Sequence, residues 1–504
     1  MQPINRSRRS IFMPTLVTAL LTVVTSVGAQ SSGGVNSLDL PEMGEPADMS
    51  LSPMQEAKIG DEVASELYRG NYEVDDVELS DYIASMGWRL AAKGSSNPPN
   101  FRFFVIADPR INAFAVPGGV IGINAGLMLY ADNESELAGV IGHEQAHVTQ
   151  RHLARTTNDT RTANLATYAA MLAAIIAGSA NPDVIIGALA VGQSVNYQRE
   201  VNYTRAHESE ADSIGIRTMS EAGYDPEGMA TFFSKLEQQS RLYGSQMPEI
   251  LRTHPVNTTR ISEARTRAAQ MPKVTLKPNP EFALMKARTI VLMANTPTAA
   301  VEEMGMRQRA GDKSAATQYG YALALFNSGR ASAAIDALAP ALAALPRQTN
   351  INLLQAQLLL ATGKKDEALA LFDKTTRLNP RSAPTVILNA RALLEVGKPL
   401  EARQMLLAFD PAHGALPEQH QLLSEASRQL KNIGDAQFEM ANYELARGDL
   451  RGALTQVDAG LRLSSLTGQE RQRLQSQREQ LIARIPRQVL SDLARDQRRL
   501  GFTH

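Results

Sequence analysis

The amino-acid sequence predicts a mostly helical α+β protein: a mixed N-terminal region with a small β-sheet, followed by an α-solenoid of repeated helical hairpins. Three observations carry this expectation. Short β-rich runs separated by Gly, Pro and Asp ("FRFFVIAD", "NAFAVPGG", "VIGINAGLM") lie between residues 101 and 128. Helical spacing flanks them in "SPMQEAKIGDEVASELYRG", in "ELSDYIASMGWRLAAKG" and in a long run that starts near Asn133. Past residue 313 the chain is Ala- and Leu-rich and repeats every 34 residues.

At 504 residues the chain is too long for one hydrophobic core. Lys+Arg number 51 against 52 Asp+Glu, which leaves no net field to recruit nucleic acid or an acidic membrane surface. Residues 1–29 read as an export signal. Arg6, Arg8 and Arg9 form its basic segment, Ile11 to Val27 its apolar segment, and Val27, Gly28 and Ala29 a small-residue cleavage site. A membrane anchor is the alternative, but about 17 residues interrupted by Pro14 are short for a span. "SRRSIF" loosely matches a twin-arginine signal, with ordinary secretion ahead. The periplasm is therefore the expected location. With no cysteine in the chain, neither a lipid-modified N-terminal cysteine nor a disulfide framework is available.

Residues 30–50 are rich in Ser, Gly, Pro and acids and read as a flexible leader before a domain spanning 51–270. Within that domain, "TANLATYAAMLAAIIAG" (162–178) is the most apolar stretch after the signal. Its length favours a buried helix or a lid over a membrane span, and peripheral membrane contact stays open as a second reading. Three prolines in "MPKVTLKPNP" mark a domain edge, so 271–313 reads as linker and connecting helices.

The repeat occupies 314–480, with 481–504 as a tail. Gly329, Gly363 and Gly397 recur at 34-residue intervals, and Gly448 begins a fourth, divergent copy after an intervening helix. Ala322, Ala356, Ala390 and Ala441 each stand seven residues before a glycine, where two helices of a hairpin must approach closely. The pattern resembles the tetratricopeptide repeat, whose stacked hairpins form a concave groove for protein segments.

The chemistry concentrates in "ELAGVIGHEQAHVTQRHLAR" (136–155). This helix is expected to start at Asn133 as N-cap, with Glu136 in capping-box register, and to run to about Arg155. Leu137, Val140, Ile141 and Val148 form its apolar stripe. Residues four apart share a helix face, so His143 and His147 can both present a ring nitrogen to one ion. Glu144 sits one step round, placed to take a proton from a water on that ion rather than to ligate it. With 8 His and 52 acidic residues, about 0.01 such motifs are expected by chance. A third histidine six residues after His147 would continue the motif, but Leu153 stands there. His152 is off register and reads as a solvated helix residue.

The third ligand must therefore come from elsewhere, and "HESEADSIG" (207–215) offers it. Glu208 and Asp212 stand four apart on an expected second helix. One carboxylate can serve the metal, the other the free N–H of a metal-bound histidine. Glu210 points elsewhere, and His207 reads as structural or solvated. HExxH followed by ExxxD resembles the zinc endopeptidase family that includes the CAAX prenyl protease and the heat-shock membrane protease HtpX. The resemblance implies a zincin-like fold, one Zn2+ per chain, His143, His147 and Glu208 as ligands, Glu144 as general base, and Asp212 behind a ligand histidine. By the same resemblance His254, in "RTHPVNTTR", is either a fourth ligand that displaces water and holds the enzyme inactive or a group that polarises the substrate carbonyl. A plain loop histidine is the alternative. "NAFAVPGG" reads as an edge strand on which an unfolded substrate could pair with the backbone at Asn112, Ala113 and Phe114.

Taken together, export signal, HExxH, ExxxD and C-terminal repeats resemble the periplasmic branch of this family. That implies a peptidase of outer-membrane protein quality control. Its partners would be unfolded or stalled β-barrel proteins and, through the repeats, the β-barrel assembly machinery. The competing reading is a chaperone or scaffold whose protease site is largely latent. A weaker third is an integral membrane protease anchored through 162–178.

Overall fold

The computed structural model describes residues 51–95, 98–157, 197–243, 248–275, 279–412, 414 and 416–485. The expected export signal (1–29), the leader (30–50), the apolar stretch 162–178 and residues 486–504 of the tail lie outside these residues. No helix of the described residues is long and apolar enough to cross a membrane.

The fold is α+β and predominantly helical, with a zincin-like unit leading into an α-solenoid. Helix α1 (Pro53–Arg69) opens on a capping box between Ser52 and Gln55, and α2 (Val77–Gly94) on the Asp76 side chain. Between α2 and the motif helix lie β1 (Arg102–Ile106), β2 (Ala113–Val116) and β3 (Val120–Asn124). They are ordered β1-β3-β2, with β1 parallel and β2 antiparallel to β3. Gly118 and Gly119 turn the β2–β3 hairpin at φ +84° and +87°, where a side chain would be strained. Among the described residues β2 pairs with β3 alone, so its outer edge is open.

Helix α3 (Ala125–Tyr130) leads to the motif helix α4 (Glu134–Thr149), capped as expected by the Asn133 side chain. The capping box does not form, because the Glu136 carboxylate accepts from the Asp132 amide at 2.8 Å and pairs with Lys235 at 2.8 Å. The helix also stops earlier than expected. Gln150 is its C-cap and Arg151 adopts φ +52°, which breaks the axis before the short α5 (His152–Thr157). The expected stripe holds, with Leu137, Val140 and Ile141 buried.

Helix α6 (Tyr197–Glu221) packs across α4. Two glycines set the approach: a Cβ on Gly215 would lie 3.1 Å from the His143 amide and 3.3 Å from Gly142 C. This contact holds the two chemical motifs against each other. Helices α7 (Glu227–Tyr243), α8 (Glu249–Thr253) and α9 (Thr258–Gln270) complete the unit.

Helices α10 (Glu281–Met293) and α11 (Pro297–Arg309) join it to the solenoid, and one hydrophobic core runs from Val74 through Leu284, Met285 and Tyr319 to Leu358. A buried ionic knot ties the halves further. Arg288 reaches Asp76 at 2.7 Å, Glu78 at 2.8 Å and Tyr319 Oη at 2.5 Å, and Asn350 donates to Glu78 at 2.8 Å.

The repeat appears as hairpins α12/α13 (Ala315–Asn327, Ala331–Ala344), α14/α15 (Thr349–Ala361, Lys365–Leu378) and α16/α17 (Ala383–Glu395, Pro399–Ala408). Helices α18 (Pro417–Gln429), α19 (Ile433–Ala446), α20 (Leu450–Leu461) and α21 (Gly468–Arg484) follow. Ala322, Ala356, Ala390 and Ala441 are fully buried, as are Ala334, Ala368, Ala402 and Ala453 on the facing helices. Gly329, Gly363, Gly397 and Gly448 all adopt positive φ in the hairpin turns. Lys431, φ +63°, makes the same turn 34 residues after Gly397 and 17 before Gly448. The period thus continues through α18/α19, with Ser424 and Ala436 buried where Ala390 and Ala402 stand one copy earlier, and the Gly448 turn between α19 and α20 falls half a period later. The solenoid returns to the N-terminal unit at this point, where Arg447 donates to the Tyr68 carbonyl at 2.7 Å.

Candidate active site

Two helices and one loop build the site. Helix α4 presents His143, Glu144 and His147, α6 presents Glu208 and Asp212, and His254 caps α8 with its amide donating to the Ile250 carbonyl at 2.8 Å. The loop is tied to the sheet through Ile250 N to the Ile111 carbonyl (3.3 Å) and Arg110 to Glu249 (2.8 Å).

The structure brings His143, His147, Glu208 and His254 together, with one ligand atom of each inside a 4.8 Å span. His143 Nε2 lies 3.0 Å from His147 Nε2 and 3.3 Å from His254 Nδ1. Glu208 Oε1 lies 3.3 Å from His147 Nε2 and 3.0 Å from His254 Nδ1, and its Oε2 lies 3.5 Å from His143 Nε2. A tetrahedral ion with bonds of about 2.0–2.1 Å needs ligand atoms roughly 3.3–3.4 Å apart. The donor set and its spacing fit a divalent metal of the zinc type.

Asp212 stands behind His143, Oδ1 at 2.9 Å from Nδ1. Glu144 is buried, and its Oε1 has no hydrogen-bond partner among the described residues. His254 Nε2 is 3.4 Å from that oxygen. Burial would raise Glu208, but the charge and hydrogen bonds of His254, His143 and His147 outweigh it and hold the carboxyl well below its usual range. Burial, helped by the charges of His143 and His254 and only partly opposed by Glu208, pushes His147 down to about 3. His143, despite burial, is lifted to about 10 by its hydrogen bonds to Asp212 and Glu208. Without a metal the site thus favours a proton on His143 and a neutral His147, with His254 also raised by Glu208 and Glu144, and a divalent ion would displace the protons.

Beside these groups opens a cavity of about 240 Å³, lined by the Ala113–Val116 edge, Glu144, His147 and Thr253. Asn112, Ala113 and Phe114 all border it, but their side chains are buried, Phe114 against the sheet over Gly122.

Two residues outside the motifs hold the constellation. Arg260 on α9 reaches Asp212 at 2.8 and 2.9 Å, Glu208 at 2.8 Å and the Pro255 carbonyl at 2.9 Å, with its guanidinium 4.7 Å above the Phe233 ring. An arginine four residues into "VNTTR" carries no sequence signal by itself. His152, expected in solvent, is instead 3% exposed. The break at Arg151 turns it beneath His147, a reversal that uninterrupted helical spacing does not foresee. Glu210 points away from the ligands as expected, toward His152 at 3.2 Å and Arg155 at 3.1 Å, and His207 is buried in a stack on His152.

A HExxH helix crossed by an ExxxD helix, with a base glutamate beside the ligand cluster, defines a metalloprotease. Comparison with known proteins agrees: the model of peptidase family M48 matches residues 78–268. The β-barrel assembly-enhancing protease of Escherichia coli is 34% identical over 421 residues, 83% of this chain and 86% of that protein. Its Yersinia pestis counterpart is 31% identical over 446 residues, 88% of this chain and 90% of that protein. The mitochondrial metalloendopeptidase OMA1 of Arabidopsis thaliana is 27% identical over 231 residues, 46% of this chain and 42% of that protein. The chain belongs to peptidase family M48 and is a metalloendopeptidase.

Proposed function

We propose that this chain is a periplasmic zinc endopeptidase that hydrolyses misfolded or stalled outer-membrane β-barrel proteins, its repeats docking substrate or the assembly machinery. The observation that carries the proteolytic reading is the convergence of His143, His147, Glu208 and His254, one ligand atom of each within 4.8 Å of the others, beside the Glu144 carboxylate. Support for the substrate class comes from the names and coverage of the two bacterial relatives, and for the compartment from the export signal at 1–29.

One zinc per chain, when bound, lowers the pKa of water to about 7 and polarises a carbonyl. Glu144 accepts the proton of the attacking water and returns it to the leaving amine. The Asp212 carboxylate, 2.9 Å from His143 Nδ1, favours the proton on that nitrogen and so leaves the Nε2 lone pair toward the ligand cluster. The substrate pairs with the open edge of β2 at Asn112, Ala113 and Phe114, since backbone pairing suits an unfolded chain of any sequence. His254, 3.0 Å from Glu208 and 3.4 Å from Glu144, would hold a bound metal as a fourth ligand in the place of the water, a resting arrangement that its withdrawal would relieve.

The test is digestion of casein or an unfolded barrel protein together with metal analysis. Glu144→Gln should keep its zinc and lose about 10²–10⁴-fold in kcat. A protein without zinc, or a fully active Glu144→Gln variant, refutes the reading. The position of His254 also favours a second reading, a chaperone or scaffold with a latent site. On that reading Glu144→Gln would support outer-membrane integrity like the wild type, whereas deletion of 314–480 would not.

A further inference from the structure

We propose that His152 and Glu210 position His147 for the metal: a hydrogen-bond chain runs from the Glu210 carboxylate through both ring nitrogens of His152 to Nδ1 of His147. This rests on the zinc-site reading above and assigns roles to residues that the HExxH and ExxxD motifs leave unspecified.

The tautomers follow by elimination. His147 Nε2 is the nitrogen turned toward the ligand cluster, 3.0 Å from His143 Nε2 and 3.3 Å from Glu208 Oε1, and to serve as a metal ligand it must offer a lone pair and carry its proton on Nδ1. That Nδ1 lies 2.9 Å from Nδ1 of His152. Two nitrogens so close are donor and acceptor, which leaves His152 Nδ1 unprotonated and puts its proton on Nε2. Nε2 in turn lies 3.2 Å from Glu210 Oε2, an acceptor only, and Arg155 Nη1 holds the same oxygen at 3.1 Å. Once a metal takes the lone pair of His147 Nε2, each step follows from the one before.

The surroundings hold the His152 ring in this pose. It is buried, and the His207 ring stacks on it at 4.3 Å and 7°. In a continuous helix, positions five apart diverge by about 140° at 3.6 residues per turn, so His152 could not reach His147. It does so only because Arg151 takes φ +52°, a conformation side chains rarely adopt. Arg151 is held there by the Leu51 carbonyl at 2.6 Å and by Glu56 at 3.2 Å. One segment of α6 therefore orients both motif histidines. Asp212 acts directly on His143, and Glu210 acts through an intervening imidazole on His147.

The experiment measures zinc affinity of the full chain by competition with a chromogenic chelator, and the absorption bands of the Co2+-loaded protein, without substrate. His152→Ala should weaken zinc binding by about 10–100-fold and shift the cobalt bands. His152→Asn, whose Oδ1 can accept from His147 Nδ1, should restore most of the loss, and Glu210→Ala should give a smaller one. Wild-type affinity and bands in His152→Ala, or equal losses in His152→Ala and His152→Asn, overturn the inference. If His152→Ala fails to fold, wild-type affinity in the half-exposed Glu210→Ala overturns it. A wild type that binds no zinc defeats the metal-site reading itself, a result distinct from these.

Discussion

Replacing Arg260 by Met removes three charge-assisted hydrogen bonds to Asp212 and Glu208, at 2.8–2.9 Å, and leaves two buried carboxylates facing each other across the gap. Breaking a buried pair from one side costs about 3–5 kcal/mol, because the remaining charge stays desolvated. For a catalytic unit of this size, 1 kcal/mol moves Tm by roughly 2–4 °C, so the metal-free variant should melt about 6–20 °C below the wild type. A divalent ion beside Glu208 takes over part of the compensation, so the gap should narrow on zinc loading. Arg260→Lys keeps the charge but not the fork that spans two carboxylates, and should fall between Met and wild type. Differential scanning calorimetry of all three proteins, with and without zinc, reads this directly. A metal-free Arg260→Met that melts within about 2 °C of wild type, or a gap that widens with zinc, refutes the reasoning.

Removal of the His254 ring should open the water position: His254→Ala should cleave an unfolded substrate faster than wild type and keep its zinc, and abolished cleavage would instead mark a carbonyl-polarising role. At the contact between catalytic unit and solenoid, burial and then Glu418 push Glu73 up to about 7. Its folded pKa exceeds the unfolded one, so its contribution is full below about pH 4.5 and fades as pH rises through 7. Amide protection in α1 and α19, taken relative to the exchange of an unfolded chain at the same pH, should be higher at pH 5 than at pH 8 for the wild type, a difference that Glu73→Gln should reduce. No change with pH, or the reverse, counts against this. Gly215→Ala places a Cβ 3.1 Å from the His143 amide and should cost about 1–3 kcal/mol while weakening zinc binding, both measurable by melting with and without the metal.

What the sequence made legible was whatever depends on local spacing. His143 and His147 share a face because helices have a fixed pitch, and the 34-residue repeat survives in the buried Ala pairs and turn glycines because each hairpin makes the same contact. What it hid depends on breaks or on distant partners. One left-handed residue, Arg151, ended α4 early and turned His152 from solvent into the interior. Arg260 lies in an unremarkable stretch and becomes central only because α9 folds over α6. The glycines at 142 and 215 look like minor flaws in good helices until the helices are seen to touch there.

The charges explain why so many of these hidden residues are needed. Glu208, Asp212, Glu144 and Glu210 put four carboxylates within one contact network, and among the described residues Arg260 and Arg155 oppose them with permanent positive charge. A divalent cation makes the sum zero. Before metal arrives, His143 and His254 are drawn toward the protonated form by the carboxylates beside them, which offsets the deficit and keeps the ligands converged. The cation that enters then replaces protons instead of assembling a site from scattered groups. On this account removal of either guanidinium should loosen the metal-free site more than the loaded one.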